Sequence, residues 1–137
     1  IRARPDLIKP NRDELEELCG YRLDGDQAYG EAVRQLMADG IELVLVSLGS
    51  AGLIFGCQGS VFKAEPLRVP EVKSTVGCGD ALLGGVLCRL AAGADLMTAV
   101  KYGVAAATSN LATKSPGYID PDQVEALYPK VCIRPLD

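Results

Sequence analysis

Residues 26–48, DQAYGEAVRQLMADGIELVLVSL, decide the fold class. Up to Asp39 the apolar residues Ala28, Ala32, Val33, Leu36 and Met37 recur at helical spacing, and Gly40 closes the segment. Ile41 to Leu48 is then a short, nearly continuous apolar run. Such a run suits a strand covered on both faces, as in a parallel sheet, better than a half-exposed antiparallel one. A helix feeding a buried strand is the repeating step of layered α/β folds.

Upstream, PDLIKPN (residues 5–11) reads as a strand ending in a loop, and Asn11 to Cys19, NRDELEELC, carries a helix-start signal and stops at Gly20. Downstream, Leu53–Phe55 and Val61–Lys63 flank GCQGS and predict a hairpin. KSTVGCGD leads into Ala81 to Ala92, apolar nearly all round and so a buried helix. A second Ala-rich helix is expected from about Asp95 to Leu111, and PGYIDPDQ turns into a short helix at Asp122 to Leu127. The pattern predicts an α/β layered fold with a mostly parallel sheet and one hairpin, in one compact unit without repeats.

The composition narrows the function. With 48% apolar and 23% charged residues in 137, the chain can bury a core. A net charge of -4 argues against a nucleic-acid or anionic-membrane partner. The absence of histidine excludes His-based triads, HExxH metal sites and a His general base. Cysteines at 19, 57, 78, 88 and 132 are odd in number and form no CxxC, which reads as free thiols in a reducing cytosol. The start, IRARPDLIKP, lacks the apolar run of a signal peptide. The uncharged stretch Leu43 to Phe62 holds four glycines, three serines and a Gln, and reads as strands and turns, not a membrane span. The chain begins with Ile and opens almost at once into a strand, so it is expected to be part of a longer, cytoplasmic protein.

Three stretches carry chemistry. In Ser74–Gly85, STVGCGDALLGG, glycines flank Cys78 and Asp80 follows where the chain turns into the buried helix. Glycine permits consecutive N–H groups to point into one concavity, and a helix N-terminus adds about half a positive charge. An anion such as a transferring phosphoryl group would fit, with Asp80 as the acid–base group. A glycine turn with an Asp N-cap explains the same residues. The Walker GK[ST] and the GxGxxG spacing are both absent. In the second stretch, Lys9-Pro10-Asn11 with Glu14, the spacing is that of a capping box; alternatively Glu14 reaches a hydrated Mg²⁺ and Lys9 a phosphate. In the third, Ser47 to Gly52 (SLGSAG), small residues after a strand form a tight turn or admit a flat or phosphorylated ligand.

Taken together, KPNRDE, VSLGSAG and STVGCGDALLGG resemble, in order, the carboxyl-terminal half of ribokinase-type (PfkB family) sugar kinases. The likeness is greatest to the bacterial branch acting on fructose 1-phosphate, then to the tagatose 6-phosphate branch. It implies a ribokinase-like fold over residues 1–137, with the sugar-binding and lid half lying outside this sequence. By resemblance Asp80 is the base that takes the sugar hydroxyl proton, and Gly77, Cys78 and Gly79 form the anion hole for the γ-phosphate. Lys9 steadies that phosphate, and Asn11 and Glu14 match the NxxE motif that organises Mg²⁺. Ser47, Gly49 and Gly52 line the nucleotide pocket, with Asn110 near the adenine.

The reaction so implied is transfer from ATP to fructose 1-phosphate, giving fructose 1,6-bisphosphate. The implied partners are ATP and a phosphosugar, with a homodimer possible for the longer enzyme and little activity in this part alone. Cys78 and Ala81 depart from the residues usual at those positions, and Cys78 is a point open to oxidation. Two other classes compete: a non-catalytic nucleotide-binding module, and an NAD-type oxidoreductase, which the glycine spacing disfavours.

Overall fold

The helix and strand expected in residues 26–48 form as α2 (Gly25–Ala38) and β2 (Leu43–Ser47). The computed structural model describes residues 4–114 and 119–136. Within it the chain divides into two compact units, not one: Ile1–Glu65 with Ile133–Asp137, and Pro66–Cys132.

The first unit carries a sheet of five strands in the order β1-β2-β3-β4-β5. These are β1 (Leu7–Ile8), β2, β3 (Leu53–Cys57), β4 (Ser60–Ala64) and β5 (Ile133–Pro135). Among the described residues only β1 and β2 pair parallel as strands; β2–β3, β3–β4 and β4–β5 are antiparallel. The sheet is therefore mixed where a mostly parallel one was expected. For the first three pairings the cause is connection length: parallel neighbours need a crossover, which α1 (Arg12–Cys19) and α2 supply only between β1 and β2. β2 and β3 are instead joined by a tight turn.

The β3–β4 hairpin is longer than expected. Its loop is only Gln58 and Gly59, at φ 53° and 79°, the left-handed pair of a type I′ turn. The α2 stripe of Tyr29, Ala32, Val33 and Leu36 packs with Val44, Val46 and Ile54 into one buried cluster that also takes in Leu15, Val61 and Leu136. Leu43, Leu45 and Phe55 on the alternate positions are buried too, so the central strands are covered on both faces, as the apolar run predicts.

The second unit holds α3 (Cys78–Ala91), α4 (Leu96–Leu111) and α5 (Pro121–Leu127). α3 and α4 meet at Gly85 and Gly103. A Cβ on Gly85 would lie 2.9 Å from the Gly103 Cα, and one on Gly103 would lie 2.7 Å from the Leu82 carbonyl oxygen. The close approach therefore requires both glycines. Ser109 Oγ donates to Gln123 Oε1 at 2.9 Å and accepts from the Asp120 N–H at 3.1 Å, fastening α4 to the start of α5. Of the predicted PGYIDPDQ turn, residues 116–118 lie outside the described residues.

Candidate functional site

α3 begins three residues before the predicted start at Ala81, which changes the setting of Asp80. Gly77 is the N-cap, with φ 86°, a left-handed conformation that suits glycine and that a Cβ would strain. No side chain caps this helix, and its earliest intrahelical bond runs from the Ala81 N–H to the Gly77 carbonyl at 2.9 Å. The Gly79 and Asp80 amides precede that bond and have no intrahelical acceptor. Asp80 stands in the first turn, exposed, and is not the N-cap that the simpler reading required.

The turn before α3 is fastened to α4. The Lys73 N–H donates to the Leu111 carbonyl at 2.8 Å, and the Val76 N–H to Ser74 Oγ at 3.1 Å. Asn110 Nδ2 donates both to the Val76 carbonyl at 2.9 Å and to Cys78 Sγ at 3.2 Å. Asn110 is 1% exposed, and its Oδ1 is buried without a partner. An unpaired buried acceptor costs about 1–3 kcal/mol. Sequence reasoning missed this brace. The signal was present as one Asn in an Ala-rich helix, on the stripe Gly103, Ala106, Asn110 that recurs at helical spacing.

The remaining expected residues lie in the first unit. Asn11 caps α1: its Oδ1 accepts from the Glu14 N–H at 2.9 Å, while its backbone N–H and Nδ2 donate to the two Glu14 carboxylate oxygens at 3.1 and 3.2 Å. The capping box is thus complete. Asn11 also bridges Ser47 in parallel fashion, and the Ser47 N–H donates to the Pro10 carbonyl at 3.1 Å. The topology therefore brings KPN and SLGS together at the carboxyl ends of β1 and β2, where α/β sheets bind ligands. Lys9, half-buried, directly precedes them.

Gly49 and Gly52, at φ 59° and 97°, build the tight turn after β2, closed by the Leu48 N–H to Gly52 carbonyl bond at 2.9 Å. Glu14 offers hard carboxylate oxygens of the kind Mg²⁺ takes through water. Among the described residues no group of three or more Cys, Asp or Glu stands together as an all-protein metal cage. Nor is any described helix long and apolar enough to cross a membrane.

Residues 1–123 match the family model for pfkB family carbohydrate kinases. The chain belongs to that family. It is similar to 1-phosphofructokinase of Haemophilus influenzae, with 31% identity over 137 residues, all of this chain and 44% of the relative. The crystal structure of Escherichia coli phosphofructokinase-2 in complex with substrates and products superposes with a TM-score of 0.84 at 28% identity, over 92% of this chain and 41% of that one. Arabidopsis thaliana ribokinase complexed with ribose and ATP gives a TM-score of 0.79 at 25% identity, over 90% and 40%. The fold is ribokinase-like, and the chain spans less than half the length of each of these relatives.

Proposed function

We propose that this chain is the carboxyl-terminal, phosphate-handling part of an ATP-dependent sugar kinase whose acceptor is fructose 1-phosphate and whose product is fructose 1,6-bisphosphate. The observation that carries the reading is the α3 start: the Gly79 and Asp80 amides, without an intrahelical acceptor, beside an exposed, uncapping carboxylate, while the Cys78 N–H donates to the Thr75 carbonyl at 3.4 Å. Phosphoryl transfer passes through a loose transition state, so catalysis is mostly placement and charge stabilisation. The Gly77-Cys78-Gly79 turn and the helix N-terminus meet the negative oxygens of the γ-phosphate. Asp80 takes the proton from the acceptor 6-hydroxyl as its oxygen bonds to phosphorus and the bond to ADP breaks.

In the first unit, Lys9 offers a point charge to phosphate, and Ser47, Gly49 and Gly52 line the nucleotide side. Mg²⁺ would be held through Glu14, with Asn11 orienting that carboxylate, and supplies charge neutralisation on the phosphates. The H. influenzae relative's name supports fructose 1-phosphate as acceptor. Tagatose 6-phosphate or another sugar would use the same groups.

Calorimetric titration of the chain with Mg·ATP tests the nucleotide half of this reading. Binding that Gly79→Val abolishes and Asp80→Ala largely spares places the phosphates at the turn. In the complete kinase, Asp80→Asn lowers turnover about 10²–10⁴-fold with little change in ATP affinity. Normal turnover removes Asp80 from the mechanism. Saturable binding without transfer in the complete protein leaves a nucleotide-binding module instead.

A further inference from the structure

Cys78 opens α3 half-buried, with its sulfur accepting a hydrogen bond from Asn110 Nδ2 at 3.2 Å. Two independent features surround it. The Gly79 and Asp80 amides have no intrahelical acceptor, since the helix bonds begin at Ala81. Asn110 directs its Nδ2 at the turn and keeps a buried, partnerless Oδ1 on the same carboxamide. The sulfur thus accepts from a carboxamide whose own oxygen still lacks a donor, in a helix turn whose next two amides have no intrahelical acceptor.

We propose that Cys78 is a modification site for small hydroperoxides, with Asn110 as the group that holds both the attacking sulfur and its oxidised product. The thiol proton passes to solvent and the sulfur attacks one peroxide oxygen. The S–O bond forms as the O–O bond breaks, and the departing hydroxide takes a proton to become water. Cysteine is oxidised by two electrons to the sulfenic acid and the peroxide is reduced. The new S–O–H supplies the donor that Asn110 Oδ1 lacks, and it places an oxygen in the turn assigned above to phosphate.

That last consequence rests on the kinase reading; the site itself does not. Cys88 and Cys132 are exposed, so accessibility alone would make them react first. Cys19 is no competitor, because burial raises its thiol above the ordinary value, against a smaller opposing effect of its bond with Tyr21.

The test is to expose the folded chain to limiting hydrogen peroxide, trap sulfenic acid with dimedone, and read each cysteine by peptide mass spectrometry. Cys78 is expected to be trapped about tenfold faster than Cys88 or Cys132, the effect of one or two well-placed hydrogen bonds on a developing charge. Asn110→Ala is expected to erase that lead while leaving Cys88 and Cys132 unchanged, and continued protection of the buried Cys57 reports that the variant is folded. Reaction in order of exposure in the unaltered chain overturns the proposal and needs no variant. So does an undiminished lead in folded Asn110→Ala. Calorimetry with Mg·ATP on reduced and oxidised protein separates the two readings: loss of binding reversed by dithiothreitol supports both. Selective trapping at Cys78 in a chain that binds no nucleotide even when reduced supports the oxidation site and counts against the kinase reading alone.

Discussion

Gly103→Ala and Gly84→Ala make the same chemical change within one helix pair and should move stability in opposite directions. Alanine in a helix interior is worth about 0.8–1.0 kcal/mol over glycine. At Gly84 the added Cβ meets nothing within 4 Å, so that gain is realised nearly whole and the variant should be about 1 kcal/mol more stable. At Gly103 the Cβ would sit 2.6 Å from Val86 Cγ2 and 2.7 Å from the Leu82 carbonyl oxygen. Val86 is fully buried and has nowhere to turn, and a helix carbonyl moves only with its helix. Overpacking of that kind costs about 1–3 kcal/mol, and a backbone contact argues for the upper end. After the propensity gain, Gly103→Ala should be destabilised by about 2 kcal/mol. Urea denaturation followed by helical circular dichroism measures both. Equal stability of the two variants would refute the claim that Gly85 and Gly103 set the α3–α4 distance. Because Asn110 reaches the turn from α4, the proposed function predicts that Gly103→Ala also weakens Mg·ATP binding and that Gly84→Ala does not.

Two further outcomes follow from the helix ends. Asp95 caps α4, and the hydrogen bond from the Thr98 N–H at 2.7 Å holds its carboxyl below the usual 3.8. A carboxyl depressed on folding contributes stability above 3.8 that disappears as pH falls through the lower folded value. Asp95→Ala should therefore be less stable than the unaltered chain near neutrality, with the gap closing in acid. A gap that persists in urea titrations well below 3.8 would refute the capping account. Asn11→Ala should cost about 1 kcal/mol through loss of the α1 cap, and Asn11→Ser, which keeps an acceptor without setting a second carboxylate against Glu14, should cost less; the urea midpoints decide.

How much of this was legible follows the range of the interactions. α2 and β2 were readable because helical and strand periodicity are local, and the same holds for the α1 capping box, whose partners are three residues apart. Strand direction was not readable. A continuous apolar run reports that both faces of β2 are covered, but not whether its neighbour runs parallel, as β1 does, or antiparallel, as β3 does. β5 has only three residues, Ile133–Pro135, and exists through pairing with β4, which lies far away in sequence. The adjacency of Asn11 and Ser47 is likewise a product of β1–β2 pairing.

The placement of Asp80 turns on a shift of three residues. Apolar periodicity puts the start of α3 at Ala81, because glycine, a half-polar thiol and a carboxylate carry no hydrophobic signal. With that start Asp80 would be the N-cap, and an N-cap carboxylate spends an oxygen on the N–H groups of its own first turn. In the structure Gly77 caps through its backbone conformation alone, and Asp80 falls inside the first turn with no cap bond to make. Its oxygens are therefore not spent on a cap, which leaves them available for the proton-accepting role proposed above, and the Gly79 and Asp80 amides for the proposed anion. A side chain at the cap would have taken up donors from the same turn. The left-handed glycine at position 77 is thus what would allow one helix end to serve as both the proposed base and the proposed anion cradle.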